Sequence, residues 1–144
     1  MLEEVKAEKE LPITATIENN IIGAVVSSTL FYWEYICHTD CRNVTKNNIL
    51  DFPCASSIYK DKYLGNIGYK LFLDYEKNCI KKDTFYKSTN RNVIYFEYYP
   101  KLSKSIIDEI DKVLAKHYGF TDEELDFIIN YDIKYRMGDE LIED

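Results

Sequence analysis

The sequence predicts an α+β fold: a mainly α-helical single domain with a small β-hairpin. Three observations predict it. Several stretches repeat apolar residues at the 3.6-residue period of a buried helix face. One segment, Val93 to Tyr99, alternates at period two and is rich in aromatic side chains. The 144 residues, 46% of them hydrophobic, suffice for one core rather than two.

Residues 1 to 18, interrupted by Pro12, hold no sustained period and read as an arm or one strand end. From Asn19 or Asn20, a good N-cap type, Ile22, Val25, Val26, Thr29, Leu30, Trp33, Ile36 and Cys37 predict one helix buried on most sides. The polar run from His38 to Thr45 predicts a loop with charged tips. A short helical turn follows and stops at Phe52-Pro53, because proline disfavours helical geometry in the residue before it. Ser56 or Ser57 then caps a long helix with the face Tyr63, Leu64, Ile67, Leu71, Phe72, Tyr75 and Cys79, and Lys81 and Lys82 suit its negative C-terminal end. Gly65 and Gly68 inside it each cost ~1 kcal/mol relative to alanine, so the helix either kinks there or packs very close to something.

Phe85 to Lys87 and Val93 to Tyr99 predict two strands around Thr89-Asn-Arg-Asn92. After Pro100, Ser103 or Ser105 caps a helix with Ile106, Ile110, Val113, Leu114 and Tyr118 on one face, terminated by Gly119. Thr121 and Glu124 form the pattern of a capping box, opening a short helix through Leu125, Ile128 and Ile129. Residues 131 to 138 read as irregular or extended and 139 to 144 as an acidic tail, which leaves 19 to 138 as the domain.

The formal charge of −7 argues against a phosphate-binding partner until its distribution is read. Between Asp40 and Asn92 there are ten bases against six acids, whereas from Lys101 to Asp144 there are twelve acids and six bases. A basic middle segment therefore remains available for a face of its own. Arg42, Lys46, Lys87 and Arg91 fall in predicted loops, and these are the candidate contacts to phosphate or base edges of double-stranded DNA, with Asn43 as a candidate base reader. The bland reading of the same positions is that Arg42 pairs with Asp40 and that Arg91 is a solvated turn residue.

Four cysteines with no secretory leader suit a reducing compartment. The charged start is no signal peptide, and the apolar stretch Ile21 to Trp33 falls short of the roughly 18 to 20 residues a membrane span needs. A cytoplasmic location and no membrane partner are expected.

Chemistry is sparse. No glycine-rich turn links a strand to a helix as a nucleotide or methyl-donor site requires. Pro12, Pro53 and Pro100 are isolated, so the Asn/Asp-Pro-Pro-aromatic tetrapeptide that holds a flipped base in amino-methyltransferases is missing. Glu4-Val-Lys6 and Asp132-Ile-Lys134 match the tripeptide of metal-dependent nucleases, a cheap match in a chain with 30% charged residues. Cys37, His38, Cys41 and Cys54 lack the second ligand pair of a zinc site, so free thiols are expected. With two histidines and no serine or cysteine beside a plausible base, a nucleophilic triad has little to work with, and His117 reads as a helix-end residue. No catalytic, metal or cofactor-binding residue is assigned to this chain.

Two stretches carry a family resemblance. Ser27-Ser-Thr-Leu-Phe-Tyr-Trp33, with Asp40-Cys-Arg-Asn43, Thr45-Lys46 and Phe52-Pro53, resembles the start of the target-recognition region of adenine-specific DNA methyltransferases of restriction-modification systems. Tyr99-Pro-Lys-Leu-Ser-Lys-Ser-Ile-Ile-Asp-Glu-Ile-Asp111 and the run His117 to Gly138 resemble the extreme C-terminus of the same enzymes, including those fused to an endonuclease. Asn43 and Ser105 depart from the histidine and proline common in that family, and residues 1 to 18 match nothing in it.

The resemblance implies a division of labour. An N-terminal domain binds S-adenosylmethionine and methylates adenine, while a C-terminal region grips DNA and helps choose the sequence; this chain corresponds to the second part. Its expected partners are double-stranded DNA and its own upstream catalytic domain. The alternative is a protein-interaction module whose acidic C-terminal helices dock on the catalytic domain or a partner subunit without touching DNA.

Overall fold

A computed structural model describes residues 17–137; the predicted N-terminal arm up to residue 16 and the acidic tail lie outside them. The mainly helical α+β class holds, with a two-stranded sheet.

The first helix is in fact two, α1 (Ile17–Ser27) and α2 (Thr29–His38), so helix already includes two residues assigned to the arm. Ser28 makes the break. Its backbone is extended (φ −70°, ψ 154°), and its Oγ accepts from the Phe31 amide at 3.0 Å while donating to the Val25 carbonyl at 2.6 Å. One buried hydroxyl thus closes α1 and opens α2, which apolar spacing alone does not reveal.

The α2 N-terminus has a second cap from far along the chain. Asp111 is buried, and its two carboxylate oxygens accept from the amides of Thr29 (3.3 Å) and Leu30 (3.2 Å). Asp111 therefore meets donors that a helix start leaves unpaired.

α3 (Lys46–Leu50) opens on a capping box between Thr45 and Asn48. After a 3-10 turn at Ile58–Lys60 comes α4 (Lys62–Asn78), whose N-cap is Asp61, not Ser56 or Ser57: Asp61 Oδ1 accepts from the Leu64 amide at 3.0 Å. α4 runs unbroken through its glycines, and the reason is contact. A Cβ on Gly68 would overlap the Asn20 carbonyl oxygen of α1, and one on Gly65 would lie 3.0 Å from Ile17 Cγ2. Close approach of two helices, not a kink, accounts for both glycines.

The hairpin is longer than predicted and starts earlier. β1 (Ile80–Tyr86) pairs antiparallel with β2 (Arg91–Glu97) in seven steps, from Ile80 opposite Glu97 to Tyr86 opposite Arg91. Lys81 and Lys82, expected at a helix end, are therefore strand residues. Asn90 takes a left-handed φ of 51° at the end of the 87–90 turn, a conformation asparagine tolerates better than most.

A 3-10 turn at Pro100–Ser103 leads into α5 (Lys104–Tyr118). The Ser103 hydroxyl does not cap it but donates to Asp74 of α4. Gly119 ends α5 at φ 70° as predicted, and α6 (Asp122–Asn130) opens on the predicted Thr121–Glu124 capping box. Where irregular or extended chain was expected, α7 (Ile133–Met137) is helical. It is held from outside: Arg136 donates to Thr29 Oγ1 at 2.9 Å and lies 4.7 Å from the centre of the Tyr32 ring, whose hydroxyl donates to Asp132.

The core joins Ile21, Ala24 and Val25 of α1 and Leu64, Ile67 and Leu71 of α4 to Ile106, Ile107, Ile110 and Leu114 of α5, with Phe31, Phe52, Ile58 and Ile128 around them. Among the described residues no helix is long and apolar enough to cross a membrane.

Candidate nucleic-acid interface

The hairpin stands apart from this core. Neither strand has more than marginal contact with any other described element, and every residue of both strands is exposed or half-buried. Strand alternation gives it two faces. One presents Lys82, Thr84, Tyr86, Arg91 and Val93; the other presents Lys81, Phe85, Asn92 and Phe96. Phe85, Tyr86 and Phe96 keep 52%, 47% and 42% of their surface exposed, which is unusual for three rings on one ribbon.

Its base is locked. Lys82 Nζ lies 2.8 Å from Glu97 Oε2 across the ladder diagonal, and the same oxygen accepts from the Tyr99 hydroxyl at 2.8 Å. The hydrogen bond from Lys82, and then that from Tyr99, holds the Glu97 carboxyl below its usual range. Tyr75 of α4 meets Tyr98 with ring centres 5.9 Å apart. With Lys82 engaged at the base, the remaining cations are Lys81 and, at the far end, Lys87 and Arg91.

The five predicted contact residues fall into two groups. Lys87 begins the hairpin turn and Arg91 begins β2, both exposed. Arg42, Asn43 and Lys46 lie exposed on the segment after α2, with Lys46 the first residue of α3. Arg42 pairs with Asp40, Nε to Oδ2 3.7 Å, and its amide donates to Asp40 Oδ1. Such an exposed pair contributes little stability and leaves Arg42 open to exchange partners. Cys41 takes φ 57° in this loop. No hydrogen bond, ion pair or ring contact among the described residues joins the two groups.

Lys81 was missed as a ribbon residue because the sequence reading placed it, with Lys82, at a helix end; Phe85, Tyr86 and Phe96 were placed on strands but not singled out as surface features. The period-two run Ile80, Lys82, Thr84, Tyr86 is the signal that extends this strand back to Ile80.

A second arrangement was also missed. Ser57, His117 and Asp61 meet: Ser57 Oγ lies 3.0 Å from His117 Nδ1, and His117 Nε2 lies 2.7 Å from Asp61 Oδ2. The sequence reading found no serine beside a base and acid because these residues lie 56 or more positions apart from His117. The chain of bonds ties the 52–60 loop, the start of α4 and the end of α5 together, and Tyr118 adds a bond to the Pro53 carbonyl at 2.6 Å. Burial pushes the Asp61 carboxyl up, but the hydrogen bonds from His117 and from the Leu64 amide outweigh it and hold it below the usual range. A carboxyl depressed in the native state stabilises the fold above its unfolded pKa, near ~3.9, and loses that contribution as pH falls through the lower native value. Asp61→Asn is accordingly expected to remove part of the acid-side loss of stability, read as a shallower fall in urea midpoint below about pH 4; an unchanged acid limb would show that the clamp does not act.

Among the described residues no group of three or more His, Cys, Asp or Glu side chains is placed to hold a metal ion, and the four thiols are free. Comparison with protein-family models, curated proteins and solved structures finds no match to this chain.

Proposed function

We propose that this chain is a DNA-recognition region, the C-terminal part of an adenine-specific DNA methyltransferase of a restriction-modification system, and that the β1–β2 hairpin is its leading contact with DNA. The supporting observation is the ribbon itself: two strands with no more than marginal contact to any other described element, with cations at the far end and exposed rings along the sides. A two-stranded ribbon is marginal alone in water, and the major groove of B-form DNA admits one. In this reading Lys87 and Arg91 at its end contact phosphate or guanine, and the exposed rings pack on sugar and methyl surfaces. Arg42, Asn43 and Lys46 supply a second, separate contact. S-adenosylmethionine and the methyl transfer belong, in this reading, to an upstream catalytic domain, as the resemblance of the Tyr99 to Gly138 segment implies.

The test is the salt dependence of binding to a mixed-sequence duplex, followed by fluorescence anisotropy. Lys87→Gln and Arg91→Gln are each expected to lower the log-log slope by about one unit, and Lys112→Gln, exposed on α5 in the acidic half, to leave it unchanged. Slopes unmoved by both hairpin substitutions would reject the ribbon as the contact. No salt-dependent binding at all would favour the docking alternative.

A further inference from the structure

A pocket with no role so far lies between α2 and the segment ending at Phe52. One wall is a helical stripe of α2, Phe31, Glu34, Tyr35 and His38 at i, i+3, i+4 and i+7; it faces Asn48 of α3 with Asp51 and Phe52 just beyond the end of α3, and Thr39 lies at one end. Phe31 and Phe52 are buried and tilt against each other with ring centres 5.4 Å apart, forming an apolar floor. Several polar groups are already engaged. Asn48 Oδ1 accepts from Thr45 at 2.8 Å, Thr39 Oγ1 donates to the Tyr35 carbonyl at 2.7 Å, and His38 Nδ1 lies 3.0 Å from the Glu34 carbonyl and 3.2 Å from Glu34 Oε1. What remains to meet a ligand, over aromatic rings, is the Asp51 carboxylate and the second oxygen of Glu34, whose first oxygen is taken by His38.

That combination selects a class of ligand. An anion is excluded, since no lysine or arginine lines the pocket and two carboxylates would repel it. A wholly apolar ligand would strip water from those carboxylates without replacing it. A metal ion lacks ligands, because no group of three suitable side chains exists among the described residues. A positively charged head beside the carboxylates forms charge-assisted hydrogen bonds, and an apolar stem or flat face packs on the rings with a cation–π contribution.

We propose that this pocket binds an organic cation, a guanidinium or alkylammonium head on an apolar stem, presented either by a free small molecule or by a protein side chain. The proposal stands apart from the DNA reading and does not need it. The probe is N-butylguanidinium, titrated into the chain while the Phe31 and Phe52 ring resonances are followed by NMR, with N-butylurea as its uncharged isostere. Saturable shifts with butylguanidinium are expected, with binding about tenfold weaker for butylurea and for each of Glu34→Gln and Asp51→Asn. Asp40→Asn, which removes an exposed carboxylate outside the pocket, is expected to leave binding unchanged. Tighter binding of a pentapeptide with a central arginine than of butylguanidinium assigns the site to a protein side chain; the reverse order assigns it to a free cation. Equal shifts from the charged and uncharged probes, or binding unmoved by both pocket substitutions, would overturn the proposal.

Discussion

Replacing Gly68 by alanine is expected to lower the unfolding free energy by about 2 kcal/mol. The added Cβ would overlap the Asn20 carbonyl oxygen, a backbone atom that cannot step aside without shifting the whole of α1. Overpacking of that kind costs roughly 1 to 3 kcal/mol or more, against which alanine returns ~1 kcal/mol of helix propensity. The two other helical glycines supply internal controls. At Gly65 the new methyl would press on the Cγ2 methyl of Ile17 at 3.0 Å, a side-chain contact at the first residue of α1 that needs a shift of only a few tenths of an ångström, so the two effects roughly cancel. At Gly23 no atom of the described residues lies within 4 Å of the new methyl, and alanine is expected to stabilise by about 1 kcal/mol. Urea midpoints at constant m-value read the order directly; a Gly68→Ala chain as stable as the Gly65→Ala chain would contradict the α1–α4 approach.

The second large effect belongs to Asp111. Alanine there removes the acceptor of two buried amides, each worth about 1 to 3 kcal/mol when left unpaired. Burial pushes the Asp111 carboxyl up to about 6, opposed by the hydrogen bonds from Thr29 and Leu30 and by the Arg136 guanidinium. The native state thus keeps this proton to higher pH than the unfolded chain does, near ~3.9. The contribution is present in full below that value, declines as pH rises towards 6 and is level above it. Because the ionised carboxyl is itself costly to bury, removing it at pH 7 gives back part of the loss, and the net effect is about 2 kcal/mol. At pH 5 the difference between the two chains should be larger, since only the original chain gains stability there. A difference that shrank on acidification, or an alanine variant of full stability, would show that Asp111 does not hold the α2 start.

How far the sequence could be read depends on the range of the signal. The Thr121–Glu124 capping box and the Gly119 stop are local, need three or four residues each, and are found where expected. The apolar stripes of α4 and α5 were also legible, and their central residues Leu64, Ile67, Leu71, Ile110 and Leu114 are buried. The break at Ser28 was not, because the flanking apolar period continues through it and the second half of its cap comes from Asp111. α7 was missed for a similar reason: the contacts that hold it, through Arg136 to Thr29 and Tyr32, span more than a hundred residues. For the candidate interface, Arg42 and Asn43 lie in a loop and Lys87 in the hairpin turn, as expected, whereas Lys46 opens α3. The ribbon bearing Arg91 proved longer than its aromatic half alone suggested, since Lys81, Lys82 and Asp83 disguise β1 as a charged helix end.

The Asp111 cap also sets an order of events during synthesis. Thr29 leaves the ribosome 82 residues before the carboxylate that will receive its amide. At ordinary elongation rates that interval is roughly 4 to 16 seconds. Through it, among the described residues, α2 has the Ser28 cap alone, and the first turn of that helix must either face water or wait. The nascent chain therefore carries its own timer: the α1–α2 corner becomes fully fixed only once α5 has emerged and folded back onto it.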